Sequence, residues 1–149
     1  MDTVPRRTRS RIMASVGQRD TNVEVQLRRE LHRHGLRYRL NVRSLPGSPD
    51  IVLPRYRAVI FVHGCFWHRH GCRYTTSPST RRVFWGRKFK ANQERDARNV
   101  KMLLTSGWRV AVVWGCAIGP QGASAKTAGL VMKWLSGRLK FVSVPRGEQ

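Results

Sequence analysis

The sequence predicts one α/β domain built on a mixed central sheet with helices on its faces. Three observations carry that expectation. Two nearly continuous apolar runs, Ala58 to Val62 and Trp108 to Trp114, read as strands buried on both sides. Stretches of helical period precede, separate and follow them. The resulting order of helix, three strands, helix, strand and helix requires helical layers packed on a sheet. At 149 residues, 40% of them apolar, the chain suits a single core.

Each element has a local reason. Residues 1–19 read as a flexible basic arm, 20–140 as the folded domain and 141–149 as a tail. Thr21 and Glu24 have capping-box spacing and start a helix. Val23, Leu27 and Leu31 give it an apolar face, and Gly35 ends it as a left-handed cap. Leu36, Tyr38 and Leu40 alternate with Arg37 and Arg39, a half-buried strand. Residues 45–49, Leu-Pro-Gly-Ser-Pro, form a turn, after which Asp50 opens a short strand closed by Pro54. Ala58 to Val62 follows as the central strand. Residues 80–106 are mainly helical, closed by Gly107, and carry Phe84, Trp85 and Phe89 early and Val100, Leu103 and Leu104 late. A last helix spans about 124–137 with Leu130, Val131, Trp134 and Leu135. This order is also that of the restriction-endonuclease-like core, an analogy of fold that does not itself give function.

Charge narrows the function. Lys and Arg number 29 against 8 Asp and Glu, a formal net charge of +21. The basic residues run from Arg6 to Arg146 rather than gathering in one tail. A folded domain this basic repels itself unless a polyanion offsets the field, and nucleic acid is the usual one. A structural RNA binder shares that charge. No segment approaches the roughly 18 apolar residues of a membrane span. The start of the chain lacks an apolar signal core, so a cytoplasmic protein is expected.

The stretch from His63 to Ser79 is dense in Gly, Cys, His and Ser. Cys65, His70 and Cys72 form C-x4-H-x-C, and Cys116 lies just past the last apolar strand. If that strand runs beside Ala58 to Val62, three thiolates and one imidazole close a tetrahedral zinc site of structural type. Ordinary buried thiols are the alternative. Among the eight acids, Asp50 stands out because it opens an apolar strand directly after a proline. A magnesium-dependent phosphodiesterase needs such a hard oxygen ligand, although a turn-forming role fits the spacing too. His63 and His68 remain once zinc is satisfied. Either can take a proton from water near neutral pH, or serve as a surface or alternative zinc-binding histidine. Spacing alone favours Glu24 as the capping-box acid.

Residues 46–53, Pro-Gly-Ser-Pro-Asp-Ile-Val-Leu, and 58–68, Ala-Val-Ile-Phe-Val-His-Gly-Cys-Phe-Trp-His, resemble the signature of the very-short-patch repair (Vsr) endonucleases. Residues 8–13, 92–96 and 107–110 are similar to other parts of that family. The likeness covers roughly 8–118, and the His-Gly-Cys-Phe-Trp-His run at 63–68 is highly specific.

The resemblance implies a magnesium-dependent endonuclease that nicks one strand of duplex DNA 5′ to the T of a T:G mismatch left by 5-methylcytosine deamination. It implies that Asp50 binds magnesium, joined by the backbone carbonyl of Val62. His68 would be the general base, and Glu24 would orient His68 or the water on the metal. His63 would hold the scissile phosphate. Cys65, His70, Cys72 and Cys116 would hold zinc. Phe66, Trp67 and Trp85 would form an aromatic wedge beside the mismatch, with the arm around Met13 clasping the opposite groove. A monomer is implied, acting on the bacterial nucleoid, with mismatch-repair proteins as partners. Two positions depart from the family pattern. Val62 stands where Thr is frequent, which a backbone ligand tolerates, and Gly115 stands where Glu is frequent. Two other readings compete: a zinc-stabilised DNA-binding protein that does not cleave, and a restriction-type nuclease of matched sites. Against the latter, the strand Ala58 to Val62 carries neither the second acid nor the lysine such cores usually add.

Overall fold

A computed structural model of the protein describes residues 22–65 and 80–145. Among these residues, three helices and five strands form an α/β fold: α1 (Asn22–Arg33), β1 (Arg39–Leu40), β2 (Ile51–Leu53), β3 (Ala58–His63), α2 (Arg82–Thr105), β4 (Arg109–Trp114), α3 (Ala123–Ser136) and β5 (Phe141–Val144). The strands lie in chain order across one mixed sheet. β2 runs antiparallel to its neighbours β1 and β3, whereas β4 and β5 run parallel to β3.

The apolar periods anticipated on α1 and β3 set the layers. Leu27 and Leu31 of α1 are fully buried, and with Val131, Trp134 and Leu135 of α3 they cover one face of the sheet, where Ile60, Val62, Ala111 and Val113 point. Val59, Phe61, Val110 and Val112 point the other way and pack against Leu103 of α2. The period of two along each strand divides its side chains between the two cores. β3 is buried along its whole length, as its unbroken apolar run predicts.

The helix stop signals act as read. Gly35 has φ +87°, its N–H donates to His32 O, and Leu36 N–H donates to Leu31 O. That pair of bonds is a Schellman cap. Gly107 (φ +89°) repeats it with Leu104 and Leu103 at the end of α2.

Four differences from expectation have local causes. The strand expected over 36–40 pairs only at Arg39 and Leu40. Leu36 is buried and Tyr38 anchors its hydroxyl on Arg28 O at 3.0 Å, so the alternation serves packing more than pairing. The sheet gains β5 from 141–144, the stretch read as the start of a tail. Its junction with α3 is held by Arg109, which stacks over Trp134 and donates to the carbonyls of Trp134, Leu135, Gly137 and Leu139. Leu130, expected on the packed face of α3, is exposed. Asp96, one of the acids passed over in favour of Asp50, lies half-buried on the inward stripe of α2 with Trp85, Phe89, Asn92 and Leu103.

Candidate active site

The site grows from the β2–β3 hairpin. A 3-10 turn, Pro54–Tyr56, reverses the chain, and Arg57 closes it in the left-handed region with its N–H on Pro54 O. Antiparallel pairing then places Ile51 opposite Ile60. Asp50, at the start of β2, therefore sits beside the C-terminal end of β3. There the Val62 N–H lies beyond the last β2 pair and donates to Asp50 Oδ2 at 2.6 Å. In an antiparallel ladder the N–H and C=O of one residue face the same edge, so the Val62 carbonyl is directed toward the Asp50 side as well.

Glu24 completes an acidic pair. It shares the buried face of α1 with Leu27 and Leu31, three and seven residues on, and is only 5% exposed. A carboxylate on that face is costly without a partner. Its charge is felt at Asp50, whose carboxyl is raised from 3.8 to about 7. Burial is the main cause, opposed by the Val62 N–H and reinforced by the negative charge of Glu24. Two desolvated carboxyls sharing a strand end form a hard-oxygen environment suited to a divalent cation. The inward face of α1 brings the charge of Glu24 to this strand end, a placement that the capping spacing does not indicate. Thr21, the other half of the capping box, lies outside the described residues.

His63 reaches the same strand end from the opposite face. It follows Val59 and Phe61 in the period of two and is buried. Its ring lies 5.6 Å from that of Phe61 and is edge-on to Trp114 at 5.3 Å. Trp114 is fixed in turn by its Nε1 donating to Ser143 Oγ at 3.2 Å. The imidazole opens into a groove of about 550 Å³ between α2 and strands β4 and β5. Asp96, Gln93, Lys101 and Ser143 supply polar groups to that groove. Asp96 is the site-associated acid that sequence reading passed over. Its signal was available, since 89, 92, 96 and 103 form one inward helical stripe.

Cys65 and Cys116 lie past the ends of neighbouring parallel strands. The register pairs His63 with Trp114, and each cysteine is two residues further on. Cys65 is buried and Cys116 half-buried, and neither is in a disulfide. Among the described residues no group of three His, Cys, Asp or Glu side chains gathers to hold a metal. His70 and Cys72, the other expected zinc ligands, lie outside the described residues, as do His68, Phe66, Trp67 and Met13. Gly115 is not there for want of space: a Cβ would meet only His63 O, at 3.8 Å. Trp85 is half-buried on α2, stacked on Phe89 at 5.6 Å. No helix among the described residues is long and apolar enough to cross a membrane.

A family profile described as DNA mismatch endonuclease Vsr matches residues 1–74. The chain is 46% identical over 117 residues to the DNA mismatch endonuclease Vsr of Escherichia coli, covering 78% of this chain and 75% of that one. It is 48% identical over 112 residues to the type II nicking enzyme V.XorIIP of Xanthomonas oryzae pv. oryzae, covering 75% and 82%. It is 41% identical over 110 residues to the type II nicking enzyme V.NmeAIP of Neisseria meningitidis, covering 74% and 79%.

Proposed function

This chain belongs to the Vsr DNA mismatch endonuclease family and is a DNA endonuclease, and from that premise we propose that it nicks one strand of duplex DNA 5′ to the T of a T:G mismatch. The observation that carries the reading is the desolvated carboxyl of Asp50, bound by the Val62 N–H and facing the charge of Glu24 at one strand end. A buried acidic pair of this kind is costly to a stable fold and useful to a cation-assisted hydrolase.

Asp50 and the Val62 carbonyl fit a magnesium ion. When bound, the ion would neutralise charge on the phosphate and lower the barrier to in-line attack. The protein's own groups do the rest. Glu24 keeps the strand end negative and orients either His68 or the attacking water. His68 takes the water's proton as general base. His63, held on Trp114, donates to the scissile phosphate and stabilises the charge that develops there. Cys65, His70, Cys72 and Cys116 would hold a structural zinc, whose binding would contribute to folding stability.

Recognition rests on deformation. Backbone contacts from a +21 chain give affinity without sequence information. Phe66, Trp67 and Trp85 insert beside the mismatch, with the arm around Met13 on the other groove. Unstacking costs about a few kcal/mol per step, and a wobble pair yields more easily than a matched one. The names of the relatives include nicking enzymes as well as a mismatch endonuclease, so the decisive comparison is the substrate. Purified protein with magnesium is offered otherwise identical T:G and T:A duplexes under single-turnover conditions. The proposal expects one cut, in the T-containing strand of the T:G duplex, lost in Asp50→Ala while mismatch binding survives. Equal cutting of both duplexes would make this a matched-site nicking enzyme, and binding without cutting would make it a binding module.

A further inference from the structure

Residues 81–90 hold five basic side chains, Arg81, Arg82, Arg87, Lys88 and Lys90, and no acid. Among them stands an exposed apolar pair, Val83 at 70% and Phe84 at 44% exposure. The other large exposed apolar side chains of the described residues are not consecutive in sequence. Exposed apolar surface inside a dense positive field is suited neither to solvent nor to a second copy of the same basic chain.

The pair caps an aromatic column. Phe89 is buried on α2 at the root. Trp85 stacks on it, with centroids 5.6 Å apart and planes 27° apart. Phe84 meets Trp85 edge-on at 5.4 Å. The Arg81 guanidinium lies over the Phe84 ring at 4.3 Å, and the Lys88 ammonium lies near the Trp85 ring at 5.6 Å. Arg81 makes no ion pair among the described residues. A guanidinium stacked on a ring keeps its N–H edge open for an anion. A ring anchored through two others has little rotamer freedom left to lose on binding.

We propose that Phe84 and Arg81 form a further DNA contact of this endonuclease, the Phe84 ring lying against a sugar or base face while Arg81 pairs with the adjoining phosphate. The contact rests on the duplex-DNA reading above but is separate from the insertion assigned to Trp85. Trp85 is half-buried in the column, whereas Phe84 is its exposed end. The occupant is duplex DNA because the patch joins a flat apolar face to five cations, the combination a sugar-phosphate edge complements.

The test uses the full chain. Binding to T:G and T:A duplexes is measured without magnesium over a salt series, beside single-turnover nicking and thermal melting. Arg81→Ala is expected to weaken both duplexes alike, by about three- to tenfold at low salt. It should reduce the slope of log affinity against log salt by about one, as loss of one phosphate contact requires. Phe84→Ala is expected to weaken the T:G duplex by about tenfold and the T:A duplex by about twofold or less, with the slope kept. Phe84→Leu keeps the apolar volume without the flat ring and guards against a folding defect. It should reproduce most of the T:G loss with an unchanged melting temperature. Unchanged affinity and slope in Arg81→Ala and both Phe84 variants overturn the proposal. So do losses that only follow a fall in melting temperature. Failure of the parent protein to nick a T:G duplex would refute the mismatch reading instead, and the binding series would still decide this contact.

Discussion

Replacing Asp50 with Asn should make the protein more stable and inactive at once. The ordinary carboxyl value of 3.8 is raised to about 7 in the fold, chiefly by burial. The folded chain therefore holds a proton between about pH 4 and pH 7 that the unfolded chain has released. Stability of magnesium-free protein should fall as pH rises through that window and level off above it. Ionising such a group at pH 8 costs up to about 4 kcal/mol, at 1.36 kcal/mol per pH unit. Residual solvent contact reduces this, leaving about 1–3 kcal/mol. The amide oxygen of Asn can still accept the Val62 N–H, so the hairpin is kept. In a domain of this size, about 2–4 °C accompanies each kcal/mol. Asp50→Asn should thus melt several degrees above the parent at pH 8, converge with it near pH 4, and fail to nick. Magnesium should raise the parent's melting temperature and leave the variant's unchanged. Parallel melting curves from pH 5 to pH 8 would refute the reasoning, because the buried charge would then cost nothing.

Zinc should co-purify at about one ion per chain, and Cys116→Ser should lower both zinc content and melting temperature, read by elemental analysis and thermal melting. Zinc-free but normally stable parent protein would remove the site. His63→Ala should reduce single-turnover nicking by about 10²-fold or more while leaving duplex binding nearly intact. Asp96→Asn should reduce nicking by a smaller factor, about tenfold, and only while His63 is present, because Asp96 lines the groove into which His63 opens. Gly47→Ala should destabilise the turn before Asp50, since Gly47 has φ +76° and a Cβ there would lie 2.8 Å from Asn99 Nδ2. The backbone part, about 1–3 kcal/mol, should persist in Gly47→Ala/Asn99→Ala while the steric part is only partly relieved, since the Cβ at position 99 still lies 3.1 Å away.

What could be read from the chain followed the strength of local pattern. β3 was legible because five consecutive apolar residues admit few other structures, and Gly35 and Gly107 were legible because each ends an apolar helical stripe. Asp50 was legible because a carboxylate at the head of an apolar strand has little local use. Glu24 was harder, since one position served both a capping box and a buried face, and only packing of α1 onto the sheet distinguishes them. Asp96 escaped because acids at 94 and 96 look alike in a basic helix, and half a turn separates solvent from the groove. β5 escaped because only its last residue, Val144, is buried and its place depends on Arg109 gathering carbonyls from the end of α3. The aromatic, histidine and cysteine residues between 66 and 79 were singled out by their density, by the C-x4-H-x-C spacing and by the family resemblance, and they lie outside the described residues.

The β2–β3 hairpin has a consequence for the order in which the enzyme comes into being. Asp50 and the Val62 N–H are only 12 residues apart, a span that a hairpin closes in about 1–10 μs. The seat of His63 is a different matter, because its ring rests on Trp114, which arrives only after α2 has been made and β4 has docked in parallel. Long-range parallel pairing is slow and comes late. A chain still leaving the ribosome can thus form its Asp50–Val62 contact early while its imidazole has no wall to lean on. The Asp50 end of the site is therefore built from the first half of the sheet, whereas the His63 end is completed only when the second half closes.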